Sequence, residues 1–226
     1  MLALHTRIPV RQAPTHDFTG SPEKRAASVA FAGHWLMHSD VAAETLAWVT
    51  RAVVGLNLCP FAKAPLVKGQ IRCVVSDVRG APALLGVLQH ELEALAQARP
   101  DKIETTLVVH PHALIDFAEF NDFLDEAEQL LDAMDLNGII QVASFHPQYR
   151  FAGTEDDDMG NATNRSPYPT LHLLREESVE RAVDVFPEAD KIFEANIRTL
   201  EALGREGWAE LQSQCRRDAQ CQGDTP

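Results

Sequence analysis

Apolar residues recur along the middle of the chain in two rhythms, helical steps of three and four and short β-branched runs, and their alternation lays out the elements. Ala42, Leu46, Val49, Val53 and Leu56 follow Asp40, a residue type that caps helix starts, so the pattern predicts an amphipathic helix over 41–56. The run from Ile71 to Val75 reads as a strand, with a turn at Gly80. Leu84, Leu88, Leu92 and Leu95 mark a second helix, ended by Pro100, and Thr105 to Val109 a second strand. The next helix has Asp116 as its cap and Phe117, Phe120, Leu124, Ala127, Leu131 and Met134 on one face; Asn137 and Gly138 stop it. Ile139 to Phe145 is a third strand and Pro169 to Leu174 a fourth, after a long loop. Ser178 caps a short helix, and Pro187 opens a last one along Ile192, Leu200 and Leu203, with Gly204 beyond it.

Such alternation predicts an α/β fold: a single domain with a small four-stranded, mainly parallel sheet, a βαβαβ core plus a fourth strand of open direction, flanked by helices on both faces. In sheets of this kind ligands bind beyond the carboxyl ends of the strands. That expectation gathers Ser76 to Arg79, His110 to His112 and His146 to Phe151 on one rim. Residues 1–38 read as a flexible N-terminal arm, 39–212 as the domain and 213–226 as a disordered tail, because the two ends lack sustained apolar periodicity.

Composition narrows the classes of function. The chain has 226 residues, 45% of them hydrophobic, enough for one sizeable core without disulfides or metal. A formal charge of −13 repels phosphate backbones and argues against a nucleic-acid partner. No apolar stretch approaches the roughly 20 residues of a membrane span, and four cysteines without regular spacing form no disulfide framework. These features point to a cytoplasmic protein without a membrane partner.

Five stretches stand out in order: GLNLCPFAK at 55–63, ETTL at 104–107, FNDFL at 120–124, QVASFHPQYRFAG at 141–153 and NRSPYPTLHLLRE at 164–176. Together they closely resemble the bacterial family catalogued as domain of unknown function 1415, over roughly 41–211. The resemblance implies kinship without implying an activity, a cofactor or a substrate.

Candidate chemistry therefore comes from the residues. His146 and Arg150 lie in a loop that follows a buried strand, where groups costly to desolvate are placed for contact; the alternative is that His146 and Pro147 only turn the chain. Cys59, before Pro60, is a candidate nucleophile beside a histidine or simply a small hydrophobe. His172 faces opposite to Leu171 and Leu173 and is either an acid/base group or a satisfied histidine. These three form the candidate catalytic set. Asn164, Arg165, Tyr168, Arg150 and Arg175 form the candidate substrate-binding set, since guanidinium groups fork onto carboxylates and phosphates and prolines hold Tyr168 in place. His110, His112 and His146 are weak candidates for zinc or iron, and the acidic loop at 154–169 reads as a solvated lid rather than a calcium site. No Walker loop, GxGxxG, GxSxG or HExxH occurs, and no cofactor is implied.

The expectation is a small-molecule enzyme acting on an anionic metabolite through a polar, loop-built pocket. Two alternatives stand beside it: a non-catalytic binding or scaffold protein using the same loops, and a metal-dependent enzyme with a histidine cluster.

Overall fold

The computed structural model describes residues 32–185 and 191–223. The helices are α1 (Ala32–Trp48), α2 (Lys63–Val67), α3 (Ala81–Gln97), α4 (Phe117–Ala133), α5 (Glu176–Val185) and α6 (Ile192–Gly223). A π-helical turn, Val49–Val54, extends α1, and a 3-10 turn occupies Met159–Asn164. The strands are β1 (Ile71–Val75), β2 (Thr105–Val109), β3 (Ile140–Phe145) and β4 (Thr170–Arg175), in the spatial order β1-β2-β4-β3.

The α/β character holds and the mainly parallel sheet does not. Only β1 and β2 pair in parallel; β4 lies antiparallel between β2 and β3. The cause is the connection at 146–169. It leaves β3 at Phe145 and re-enters at Thr170, directly opposite Phe145 in the register, so the chain returns from the end at which it left. A parallel neighbour would require a crossover to the far end of the sheet. β2 and β3 are therefore not adjacent, and the expected βαβαβ core is split by the fourth strand.

Helices cover both faces. On one, the stripe Leu84, Leu88, Leu92 and Leu95 of α3 packs with Phe120, Phe123, Ala127 and Leu131 of α4 over Val108, Ile140, Leu171 and Leu173. Asp116 caps α4 as expected, its Oδ1 accepting from the backbone N–H of Ala118 and Glu119 at 2.9 and 3.1 Å. On the other face, α1, the π turn and α6 bury Trp48, Ala52, Leu200 and Trp208 against Leu107, Val109 and Phe145. The π turn ends where Gly55 N–H donates to the carbonyl of Thr50 at 3.0 Å; a Cβ on Gly55 would sit 2.2 Å from the Arg51 carbonyl oxygen, so this close approach requires glycine.

Two boundaries differ from expectation. Asp40 lies inside α1, which begins by Ala32, so it caps nothing; most of the expected arm falls outside the described residues. The expected break at Gly204 is present (φ 68°), but the chain beyond it is helical to Gly223. Residues 213–223 of the segment read as a tail are helical, with Cys215 and Ala219 buried; the rest of it lies outside the described residues.

Candidate functional site

A cavity of about 740 Å³ opens over the α1/α6 face, towards the amino ends of β1 and β2. It lies at the opposite end of these strands from the expected rim, where a second, more open cavity is bordered by Gly80, His112 and Leu114. The sheet supplies a floor of Ile71, Thr105, Leu107, Phe145, His172 and Leu174, and Trp48, Val49 and Val53 form one wall. The chain from Leu58 to Gln70, including α2, forms another through Cys59, Pro60, Phe61, Ala62 and Pro65. This covering segment lies between two left-handed residues, Asn57 (φ 55°) and Gly69 (φ 64°), and α2 buries none of its residues. It is held by the Leu58 carbonyl, which accepts from Asn196 Nδ2 at 2.8 Å, by the Cys59 N–H, which donates to the Val53 carbonyl at 3.3 Å, and by Gln70, whose side chain donates to the Pro100 carbonyl at 3.2 Å.

His172 is half-buried in the floor, and its tautomer follows from its neighbours. Thr105 Oγ1 lies 2.6 Å from the Leu173 carbonyl, which can only accept, so the single hydroxyl proton is committed there. The same oxygen lies 2.7 Å from His172 Nε2, which therefore carries the proton it donates to Thr105. Nδ1 is left with its lone pair, shielded from water and without a partner among the described residues. Desolvation pushes the imidazole down to about 4, so it is neutral at physiological pH. Thr163 Oγ1, on the same cavity wall, is also buried and unpartnered.

Cys59 and His172 thus share one cavity, bordered by Asn164 and Arg175. Burial pushes the Cys59 thiol up, against a smaller opposite effect of the Phe61 and Ala62 backbone N–H groups, so the cavity does not hold an activated thiolate. Arg175 uses Nη2 on the carbonyls of Leu95, Ala98 and Ile103, at 2.7, 2.7 and 3.3 Å, closing the end of α3. Asn164 ties the 3-10 turn to β3 by donating to the Ser144 carbonyl at 3.2 Å.

The remaining candidates lie elsewhere. His146 is wholly buried on the opposite face, packed against Phe117 and Phe120 of α4. Its Nε2 donates to the Leu114 carbonyl at 3.2 Å and its Nδ1 accepts from Gln148 N–H at 3.1 Å, so both nitrogens are used in turning the chain. A Cys59–His146 pair is excluded, because the sheet stands between them. Arg150 pairs with Asp156 in an exposed contact, and Arg165 donates to the carbonyls of Tyr149 and Asp156 at 3.1 and 2.7 Å. Tyr168 donates to Glu44 Oε2 at 2.7 Å, fastening its loop to α1. The acidic loop is solvated at Glu155, Asp156, Asp157 and Asp158, which are exposed, and is anchored from within: the buried Asn161 accepts from Phe151 N–H and the Thr154 hydroxyl and donates to the Glu155 carbonyl.

The histidine cluster does not assemble either. His110 Nδ1 donates to the Ala113 carbonyl at 2.9 Å in the closed core beside Phe120, whereas His112 faces Asp77 at 3.9 Å. Among the described residues, no group of three or more His, Cys, Asp and Glu is arranged to hold a metal, and no helix is long and apolar enough to cross a membrane.

Thr105, Thr163 and Trp48 are the site residues that the sequence reading missed. The available signal was a pair of threonines, Thr105 and Thr106, opening an otherwise aliphatic buried strand.

Fold and cavity together define an α/β protein with a mixed sheet and a single-ligand-sized, mostly apolar chamber on one face. The chain belongs to the family described as protein of unknown function (DUF1415), whose model matches residues 40–210. No curated protein and no solved structure matches the chain.

Proposed function

We propose that the protein is a cytoplasmic enzyme that takes a largely apolar small molecule into the cavity over β2 and β4, with His172 as the group that accepts a proton from it. The observation that carries the reading is the cavity of about 740 Å³ itself, with the neutral imidazole of His172 and the buried Thr105 and Thr163 in its lining. His146 supplies the contrast, since it uses both nitrogens and its role is complete without a ligand. His110 also leaves one nitrogen unpaired, but it lines neither of the two best-formed pockets. A histidine neutral at working pH is free to accept a proton, and the burial that holds it down to about 4 makes it a weak base.

The anionic metabolite expected from the arginines has less support, because Arg150 and Arg165 are committed to Asp156 or to backbone carbonyls, while Arg175 gives Nη2 to backbone carbonyls and keeps a buried Nε without a partner among the described residues. The scaffold reading keeps part of its surface: Tyr149, Asn164 and Ser166 of the two loops are buried, while Pro147, Gln148 and Arg150 are exposed. Four free cysteines agree with a reducing compartment.

The test is to incubate the protein with a metabolite extract and follow bound and altered species by mass spectrometry. Wild type is expected to retain and alter at least one species, His172→Phe to retain it unaltered, and Ala64→Trp, which fills the cavity from its cover, to do neither. Retention equal in wild type and Ala64→Trp overturns the site; turnover preserved in His172→Phe overturns the role of His172.

A further inference from the structure

The cavity has a closed apolar end and an open charged one, and the strand register orders them. Its floor lies in rows: Ile71, Thr105 and Leu174 pair side by side, Leu107 pairs with His172 one row further in, and Phe145 pairs with Thr170 in the last row. From Leu174 to Thr170 along β4 is about 13 Å at the rise of a strand, the extended length of about ten carbons. At the Phe145 end the wall is closed, because Trp48, with its ring 5.3 Å from that of Phe145, and Asn164, bonded to the Ser144 carbonyl, are buried. At the Leu174 end it is open. Lys68, just before β1, and Arg181, on the helix that continues from β4, are both exposed.

Acids outnumber bases 33 to 20 in the whole chain, yet the charged residues lining the cavity are Lys68, Arg175 and Arg181 against Asp101 and Glu104. Asp101 is already forked by Arg99, Nε to Oδ1 at 2.9 Å and Nη2 to Oδ2 at 2.8 Å. The Lys68 ammonium has no partner among the described residues. The mouth therefore favours an anionic head, while the closed end demands an apolar tail.

We infer that the cavity takes a single-chain amphiphile tail first, its apolar chain running over Leu174 and His172 to Phe145 and its carboxylate at the mouth beside Lys68 and Arg181. The inference rests on the cavity being the ligand site and deepens that reading by naming the substrate class, medium-chain carboxylates. The anionic group is met at the mouth, not by Arg150 or Arg165, which do not line the cavity.

Decanoate, decan-1-ol and decylammonium share one body and differ in head; each is titrated, below its micellar concentration, against the full chain by calorimetry. Decanoate is expected to bind about 2- to 5-fold more tightly than decanol, the worth of an exposed ion pair, and Lys68→Met with Arg181→Met should remove that margin while decanol binding stays. From hexanoate to decanoate, affinity should rise by about fourfold per methylene, and it should stop rising beyond dodecanoate, where the floor ends. Bromine on the last carbon of decanoate should quench Trp48 more than bromine beside the carboxylate, a difference absent from Trp48→Phe. Decanol or decylammonium as tight as decanoate, or a margin unchanged in the double variant, overturns the anionic head and leaves the cavity standing. The reverse order of quenching, or affinity that climbs unbroken to hexadecanoate, overturns the tail-first seat. Failure of every probe to bind wild type, or binding unaffected by Ala64→Trp, overturns the inference together with the proposed site.

Discussion

Glu91 of α3 is buried at 3% exposure and receives Arg72 of β1 in a forked pair, Nε to Oε2 at 2.9 Å and Nη2 to Oε1 at 3.2 Å. The two partners are unequal, because Arg72 reaches partly into solvent while the carboxylate does not. Arg72→Ala should therefore destabilise the fold by about 3 kcal/mol in urea titrations, leaving a buried charge uncompensated. The double variant Arg72→Met with Glu91→Leu should recover most of that loss. A single variant as stable as wild type would show that the pair holds nothing.

Acid should weaken the fold well above the carboxylate range. His110 and His172 are each pushed down to about 4 by burial, from an ordinary value of 6.5. Between those values the unfolded chain binds protons that the folded chain refuses, so stability rises with pH across the window and is complete above it. The free energy of unfolding at pH 5 is expected to lie on the order of 3 kcal/mol below that at pH 7.5. His172→Phe should remove part of that slope. A flat profile from 7.5 to 5 would show that neither imidazole is held neutral.

Much of this fold was legible because its helices carry wide apolar stripes and its strands are short β-branched runs bounded by turns. Leu84 to Leu95 and the Asp116 cap are local signals, and the structure keeps both. The place of β4 was not legible, since nothing within 170–175 states which neighbours it pairs with; the return of the chain at Thr170 decides that. Polar residues in distinctive loops misled most. Asn161 and Arg165 are spent on backbone groups within their own loop and Asn164 on the Ser144 carbonyl of β3, a demand that residue type alone does not distinguish from ligand binding. The cover of the cavity was hidden for the opposite reason, because Leu58 and Phe61 beside Cys59 favour a small hydrophobe there.

Cys59 offers a probe of that cover. Its thiol is held protonated by burial and sits behind the segment fixed at Leu58 and Gln70, so alkylation at pH 7.5 should run at least about tenfold slower than at the exposed Cys221. Asn196→Ala removes the donor to the Leu58 carbonyl, which should speed labelling of Cys59 and raise hydrogen exchange over 57–69. Exchange confined to other parts of the chain would show that this bond does not hold the cover.

The end of the chain carries a weaker stripe of the same helical kind. Trp208, Leu211, Cys215 and Ala219 recur at steps of three, four and four, and all are buried; the last two are small enough that the run reads as polar. Arg51 of the π turn fastens this segment through Asp218, Nε to Oδ2 at 2.5 Å and Nη2 to Oδ1 at 2.9 Å, with Nη1 donating to Gln214 at 3.1 Å. Ending the chain at residue 212 removes the buried Cys215 and Ala219 and uncovers part of α1, at a cost of roughly 2 kcal/mol in apolar burial. Arg51→Ala should cost much less, because the ion pair is partly exposed and screened while the stripe stays in place. Equal unfolding midpoints for the truncated and full chains would mean that the last turns of α6 add nothing to the domain.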